Sequence, residues 1–166
     1  MDMDKKPPSF VVDSMLGKLA RWLRILGFDT LYFRDVEDEE LLKISEEGGR
    51  YLLTRDRELY HRASPRGVLI SEMGLDGQLK EVALALSLYK YDLPTRCPLC
   101  NTVLRRAERE SVRGAVPEGT LEHYREYYIC PGCGKIYWHG SHWGGIVRRA
   151  EEAGFNTQSL TEDDEE

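Results

Sequence analysis

Several scarcities narrow the class of this 166-residue chain, which has only four cysteines, four histidines and three tryptophans. No apolar run approaches the roughly 20 residues that cross a bilayer, so no membrane partner is expected. The opening Met1-Asp2-Met3-Asp4-Lys5-Lys6-Pro7-Pro8 lacks the apolar stretch of a signal peptide, and a cytoplasmic location is the expectation. Glycine-rich phosphate loops are missing after the first apolar run, which argues against a nucleotide-binding or phosphatase α/β domain. There is no internal repeat. A basic excess is missing too: 23 Lys and Arg stand against 29 Asp and Glu, a formal charge of -6. That balance opposes binding to nucleic acid, where Lys and Arg displace counterions from phosphates.

The distribution of charge reverses that judgement. Residues 1–92 carry 17 acids against 14 bases, residues 93–150 carry 5 against 9, and residues 151–166 carry 7 against none. The acidity is therefore concentrated in residues 151–166, which read as a disordered, solvated acidic tail.

What is present reads as two units. Ser9 to Val12 has the composition of a buried strand, and Ser14 can cap the helix in which Met15, Leu16, Leu19, Trp22, Leu23 and Leu26 recur at helical spacing before Gly27. Strand and helix signals then alternate: Phe28 to Phe33, Glu37 to Glu47, Arg50 to Thr54, Arg57 to Ala63, Gly67 to Ser71, and Gln78 to Tyr89 with Asp76 as its cap. Such alternation specifies a parallel sheet flanked by helices, an α/β unit over residues 9–92. Asp92-Leu93-Pro94 ends the pattern. From Thr95 the helical periodicity gives way to Cys, Gly, Tyr and Trp, marking a second, smaller unit over residues 95–150.

Cys97-Pro98-Leu99-Cys100 and Cys130-Pro131-Gly132-Cys133-Gly134 account for every cysteine. Two residues between thiolates let one tight turn present both sulfurs to one ion, and two such knuckles give a closed tetrahedral four-cysteine zinc ribbon with Cys97, Cys100, Cys130 and Cys133 as ligands. Four cysteines leave no open position on Zn²⁺, so the ion is structural. Redox use of the CxxC pairs would want one of them at a helix start after a strand, and neither has that setting. The interval between the pairs could form a hairpin from Val103 to Val112 and Glu122 to Ile129, making a ribbon with a long insertion. His139 and His142 lie in an aromatic stretch near Arg148 and Arg149, where they suit either packing or contact with nucleic acid.

Two apolar runs end by presenting an acid: Phe10-Val11-Val12 stops at Asp13, and Tyr51-Leu52-Leu53-Thr54 is followed by Arg55 and Asp56. Side chains leaving the carboxyl edge of a parallel sheet converge on one crevice, so this repetition suggests a shared site. Asp38 opens the second helix. All three acids also suit helix capping and the helix dipole, so both readings stay open, although Ser14 and Thr54 could cap in place of Asp13 and Asp56.

Phe10-Val11-Val12-Asp13-Ser14-Met15-Leu16-Gly17-Lys18-Leu19-Ala20-Arg21-Trp22-Leu23-Arg24-Ile25-Leu26-Gly27-Phe28-Asp29, then Asp38-Glu39-Glu40-Leu41-Leu42 and Leu52-Leu53-Thr54-Arg55-Asp56, resembles the Mut-seven C-terminal RNase domain family. The ending Cys130-Pro131-Gly132-Cys133-Gly134-Lys135-Ile136-Tyr137-Trp138 with Gly140-Ser141-His142 fits as well, so the resemblance spans about residues 9–150. It implies a PIN-like fold joined to a zinc ribbon and a metal-dependent ribonuclease with Asp13, Asp38 and Asp56 as its catalytic acids. Asp35, Glu39 and Asp76 are candidates for a fourth acid. In that reading the three aspartates hold Mg²⁺ or Mn²⁺, hard cations that prefer oxygen. Lys18, Arg21, Arg24, Arg55 and His142 are the candidate contacts to RNA, expected to be single-stranded. The rival class is a catalytically inactive zinc-ribbon RNA-binding or adaptor protein in which the acids are only caps.

Overall fold

The computed structural model describes residues 6–161. Its first unit alternates strand and helix as the periodicity requires: β1 (Phe10–Val12), α1 (Gly17–Ile25), β2 (Thr30–Tyr32), α2 (Asp38–Gly48), β3 (Tyr51–Thr54), α3 (Arg57–Arg62), β4 (Gly67–Leu69) and α4 (Leu75–Leu86). Each strand is shorter than the segment expected for it, most of all β2, three residues within Phe28 to Phe33. All pair in parallel in the order β2-β1-β3-β4, with Val12 opposite Leu53. Phe10, Val11, Val12, Leu52 and Leu53 are fully buried, as strands covered on both faces must be. Val12 and Leu53 face Leu19, Leu23 and Leu79 on the α1/α4 side, while Val11 and Leu52 face Leu41 and Leu59 on the α2/α3 side.

This strand order creates one switch point. The chain leaves β1 toward β2 on one side and returns to β3 on the other, so the connections diverge above the carboxyl ends of β1 and β3. A crevice at that divergence is where open parallel sheets bind ligands.

Gly27 closes α1 with φ 94°, a conformation costly for any residue with a Cβ, and an added Cβ would lie 2.7 Å from the Pro94 carbonyl. The end of α1 is thus clamped against the linker to the second unit. That unit contains β5 (Arg105–Ala107), α5 (Glu118–His123), β6 (Tyr127–Ile129) and β7 (Ile136–Tyr137), with an antiparallel sheet ordered β5-β6-β7. The expected hairpin is present in shortened form, β5 and β6 pairing antiparallel over three residues each within the two stretches assigned to it. Residues between them fold over Val112, Val116, Leu121 and Tyr127, a small core of their own.

Residues after 150 do not continue as the expected disordered tail as far as residue 161. Helix α6 (Trp143–Glu152) and the short α7 (Gln158–Thr161) lie against the first unit. Val147, Ala150, Ala153, Phe155 and Leu160 join its larger core, and Phe155 meets the Phe28 ring edge-on at 6.3 Å. Burying a side chain the size of Phe155 or Leu160 contributes about 1.5–3 kcal/mol, which offsets the ordering of a short acidic segment. The acidic run at 162–166 lies outside the described residues. No described helix is long and apolar enough to cross a membrane.

Candidate active site

Asp13 follows β1 directly, and its backbone N–H still bonds the Leu53 carbonyl at 3.0 Å, extending the β1–β3 ladder by one step. Its carboxylate is held at both oxygens: Oδ1 accepts from Ser14 N at 2.8 Å, and Oδ2 accepts from the Thr54 hydroxyl at 2.8 Å. Ser14 caps nothing: Asp13 caps the single 3₁₀ turn Ser14–Leu16, and α1 itself starts after Leu16 without a side-chain cap. Thr54, at the end of β3 and fully buried, also accepts the Asp56 N–H at 3.0 Å. One hydroxyl thus ties the two strand-end acids together. Asp56 caps α3 through Oδ1, which accepts from Glu58 N at 2.8 Å and Leu59 N at 3.3 Å.

Asp38 comes to the same edge from the start of α2. Its carboxyl is pushed above the ordinary range, first by lost hydration and then by the negative charges of Asp13 and Asp56, with Arg62 acting in the opposite direction. Three carboxylates from three connections therefore share one electrostatic environment at the switch point. They are not drawn in as closely as the cysteines, which alone among the described residues bring three or more such ligand atoms within 4.8 Å of one another. Carboxylate oxygens are the hard donors that Mg²⁺ and Mn²⁺ prefer, and Mg²⁺ is commonly held through one or two carboxylates plus its own waters.

The candidate fourth acids have other partners where contacts are defined. Glu39 pairs with Arg62 at 2.7 Å, and Asp76 pairs with Arg149 at 2.9 Å. Asp76 does not cap α4, whose first residue follows Gly74 without a side-chain cap. Glu81 escaped the sequence reading altogether. Its carboxylate accepts from Ser71 N and Glu72 N and, although burial opposes its charge, these bonds hold it below the ordinary carboxylate range. This fixes the loop after β4, where Arg55 donates to the Glu72 carbonyl.

The expected RNA contacts fall into three groups. Lys18 and Arg21 are exposed on α1 and line grooves of about 530 and 360 Å³. Arg55 is tied to the β4 loop. Arg24 stands apart: it lines the smaller groove but is buried, donating from Nε to the Thr30 carbonyl at 2.9 Å and from Nη1 to the Pro98 carbonyl at 2.8 Å. Its charge is spent on joining α1 to the first cysteine knuckle. His142 is exposed at the residue preceding α6. His139, three residues earlier, has the more specific setting, stacked on Trp143 at 4.0 Å with planes 4° apart and on Tyr128 at 5.3 Å.

The four cysteines form a group that could hold zinc. Cys97 and Cys133 Sγ are 3.8 Å apart, the edge of about 3.8 Å that a tetrahedron of Zn–S bonds near 2.3 Å requires. Cys100 and Cys130 Sγ are 3.2 Å apart, and no disulfide is formed. Gly132 is compelled by space, since a Cβ there would lie 2.5 Å from Thr102 Oγ1 and 3.2 Å from Cys100 Sγ. The Tyr137 hydroxyl is 3.1 Å from Cys97 Sγ, within hydrogen-bonding distance, and burial followed by the sulfur neighbours raises its pKa.

The first knuckle is welded to the α/β unit. Asn101 donates from Nδ2 to Asp29 Oδ1 at 2.7 Å, and its Oδ1 accepts from Thr30 N at 3.0 Å. Although burial opposes its charge, Asp29 is held below the ordinary carboxylate range by Arg50, which grips both its oxygens, and by Asn101.

A family model described as Mut7-C RNAse domain matches residues 8–150. No curated protein and no solved structure matches the chain.

Proposed function

The chain belongs to the Mut7-C RNAse domain family, and from that premise we propose that it is a metal-dependent ribonuclease hydrolysing RNA phosphodiester bonds at Asp13, Asp38 and Asp56. The observation that carries this reading is geometric: at the switch point one hydroxyl, that of Thr54, donates to Asp13 Oδ2 and accepts the Asp56 N–H, holding two strand-end acids together, and Asp38 at the start of α2 feels the charge of both. Helix caps need no such convergence. A cluster of mutually repelling anions at a ligand crevice stores unfavourable energy that a divalent cation relieves.

The three aspartates would hold Mg²⁺ or Mn²⁺, which when bound supplies positive charge against the phosphate and acidifies a water for attack on phosphorus. The protein's own contribution is positional. Thr54 holds the Asp13 carboxylate through Oδ2, Ser14 N holds it through Oδ1, and the amides of Glu58 and Leu59 fix Asp56 through Oδ1. Oxygens fixed by hydrogen bonds lose little freedom on meeting a cation. Lys18, Arg21 and Arg55 supply charge near flanking phosphates. The cysteine group is read as a structural four-thiolate zinc site, closed to water and so excluded from the hydrolytic step.

The capping bonds of Asp13 and Asp56 favour one rival, an RNA-binding or adaptor protein without catalysis. Asp56→Asn separates the two, because asparagine caps a helix about as well as aspartate and removes only the charge. The measurement is cleavage of a labelled RNA with and without Mn²⁺. We expect metal-dependent cleavage by the wild-type chain and its loss, by at least about 100-fold, in a normally folded Asp56→Asn. Binding without cleavage supports the adaptor instead, whereas metal-dependent cleavage at an unchanged rate in the variant removes Asp56 from the site.

A further inference from the structure

Three cavities along the seam between the two units share walls. The one nearest the acids, about 360 Å³, is lined by Gly17, Lys18, Arg21, Tyr32 and Arg34, and the Tyr32 hydroxyl donates to the Ser14 carbonyl, one residue from Asp13. It shares Lys18, Arg21, Pro98 and Leu99 with the next, about 530 Å³, where Lys135 joins from the ribbon and Arg149, ion-paired with Asp76, from α6. That groove shares Ile25, Pro98 and Tyr137 with a third, about 450 Å³, walled by Tyr128, Trp138, His139 and Trp143. Among the described residues no carboxylate lines any of the three, in a chain with 29 Asp and Glu. Leu99, 53% exposed, stands at the tip of the first knuckle and lines the first two.

We propose that this seam is an extended binding site for an unpaired RNA strand, its backbone lying along Lys18, Arg21 and Lys135 and one base, remote from the cleaved bond, seated in the aromatic chamber. The inference rests on the ribonuclease reading for its choice of RNA and extends it to a second contact point. Cations in line attract phosphates, while aromatic faces take bases of any sequence, and this pairing of features is the signature of single-strand recognition. Duplex RNA presents its bases stacked inside the helix and could not deliver one to the chamber. The chamber is held in shape by its own structure: Trp143 Nε1 donates to the Leu160 carbonyl at 3.0 Å, and Tyr128, His139 and Trp143 stand as a column of rings. The knuckle thereby acquires a second task. Tyr137 walls two of the cavities while its hydroxyl meets Cys97 Sγ, so the cysteine centre sets the shape of the track.

All three tryptophans of the chain, Trp22, Trp138 and Trp143, line the seam, which provides a direct readout. The full chain, zinc retained and without added Mg²⁺ or Mn²⁺, is titrated with oligouridylates of 4 and 12 nucleotides, following tryptophan emission and the anisotropy of a labelled copy. We expect the 12-mer to quench emission. The double variant Lys18→Ala/Lys135→Ala should bind it about tenfold more weakly, with a salt slope shallower by about 1.4, two single-strand phosphate contacts. Tyr128→Leu should weaken the 12-mer at least about fivefold and leave the 4-mer little changed. Saturation without any change in tryptophan emission, unchanged affinity in the folded double variant, or no RNA binding overturns the proposal. Cleavage is assayed separately. Seam binding with no cleavage leaves the track standing and sinks the nuclease, whereas acid-dependent cleavage indifferent to the seam variants does the reverse.

Discussion

The Thr54 hydroxyl donates to Asp13 Oδ2 at 2.8 Å across the β1–β3 pair, so the acid at the end of one strand is oriented by the last residue of its neighbour. Thr54 also accepts the Asp56 N–H, which makes it the positioning residue between the two acids. Its side chain touches no phosphate in this account and acts only through them.

Thr54→Val, equal in shape, should fold but cleave about 10- to 100-fold more slowly and require more Mn²⁺ for half-maximal rate, while Thr54→Ser restores both. The stability cost should stay within about 1–3 kcal/mol, that of an unsatisfied Asp56 N–H. A Val variant with an unchanged Mn²⁺ requirement would remove Thr54 from the site.

Asp38 predicts an opposition between activity and stability. Its folded-state pKa is raised, so its ionised form opposes folding; that penalty is present above the raised pKa and relieved as pH falls through it. Asp38→Asn should therefore melt slightly higher than wild type at about pH 7.5, with the difference gone at about pH 3. The same variant should not cleave RNA. Thermal melts across pH check the first half, and a lower melting point at neutral pH contradicts it.

Removal of zinc should unfold β5, β6 and β7 with the core around Tyr127, since that short sheet buries little else. The effect should spread to the end of α1, because Arg24 and Asp29 hold the first knuckle. Amide hydrogen exchange after chelation should show lost protection at Tyr127–Ile129, partial loss at Thr30, and retained protection at Val11 and Leu52. Metal analysis should find one zinc per chain.

Arg24→Met should cost about 2 kcal/mol or more in urea unfolding, from the loss of two hydrogen bonds by a charged donor. It should leave the salt dependence of RNA binding unchanged, unlike Lys18→Ala. A shallower salt slope in Arg24→Met would return that residue to the RNA-contacting set.

The parallel sheet, the helices between its strands and the cysteine knuckles were legible because each rests on local pattern: short apolar runs, helical periodicity, and thiols two residues apart. Asp13 and Asp56 stood out because each lies within two residues of the end of an apolar strand run. Long-range geometry was hidden. Arg24 follows Arg21 on the same helix and looks equally solvated until Pro98, 74 residues on, supplies its acceptor. Thr54 could be read as a cap, yet its partner depends on the register of β1 against β3. Residues 151–161 look like a solvated tail by charge, while Phe155 and Leu160, too sparse to show periodicity, anchor them.

The most direct test is where a manganese ion settles. Crystals of the zinc-loaded chain soaked in Mn²⁺ should show anomalous density at the Mn edge between Asp13, Asp38 and Asp56, lost in Asp56→Asn with the rest of the structure unchanged. Density only elsewhere, or none at concentrations that saturate cleavage, would contradict the assignment of these three carboxylates as the catalytic centre.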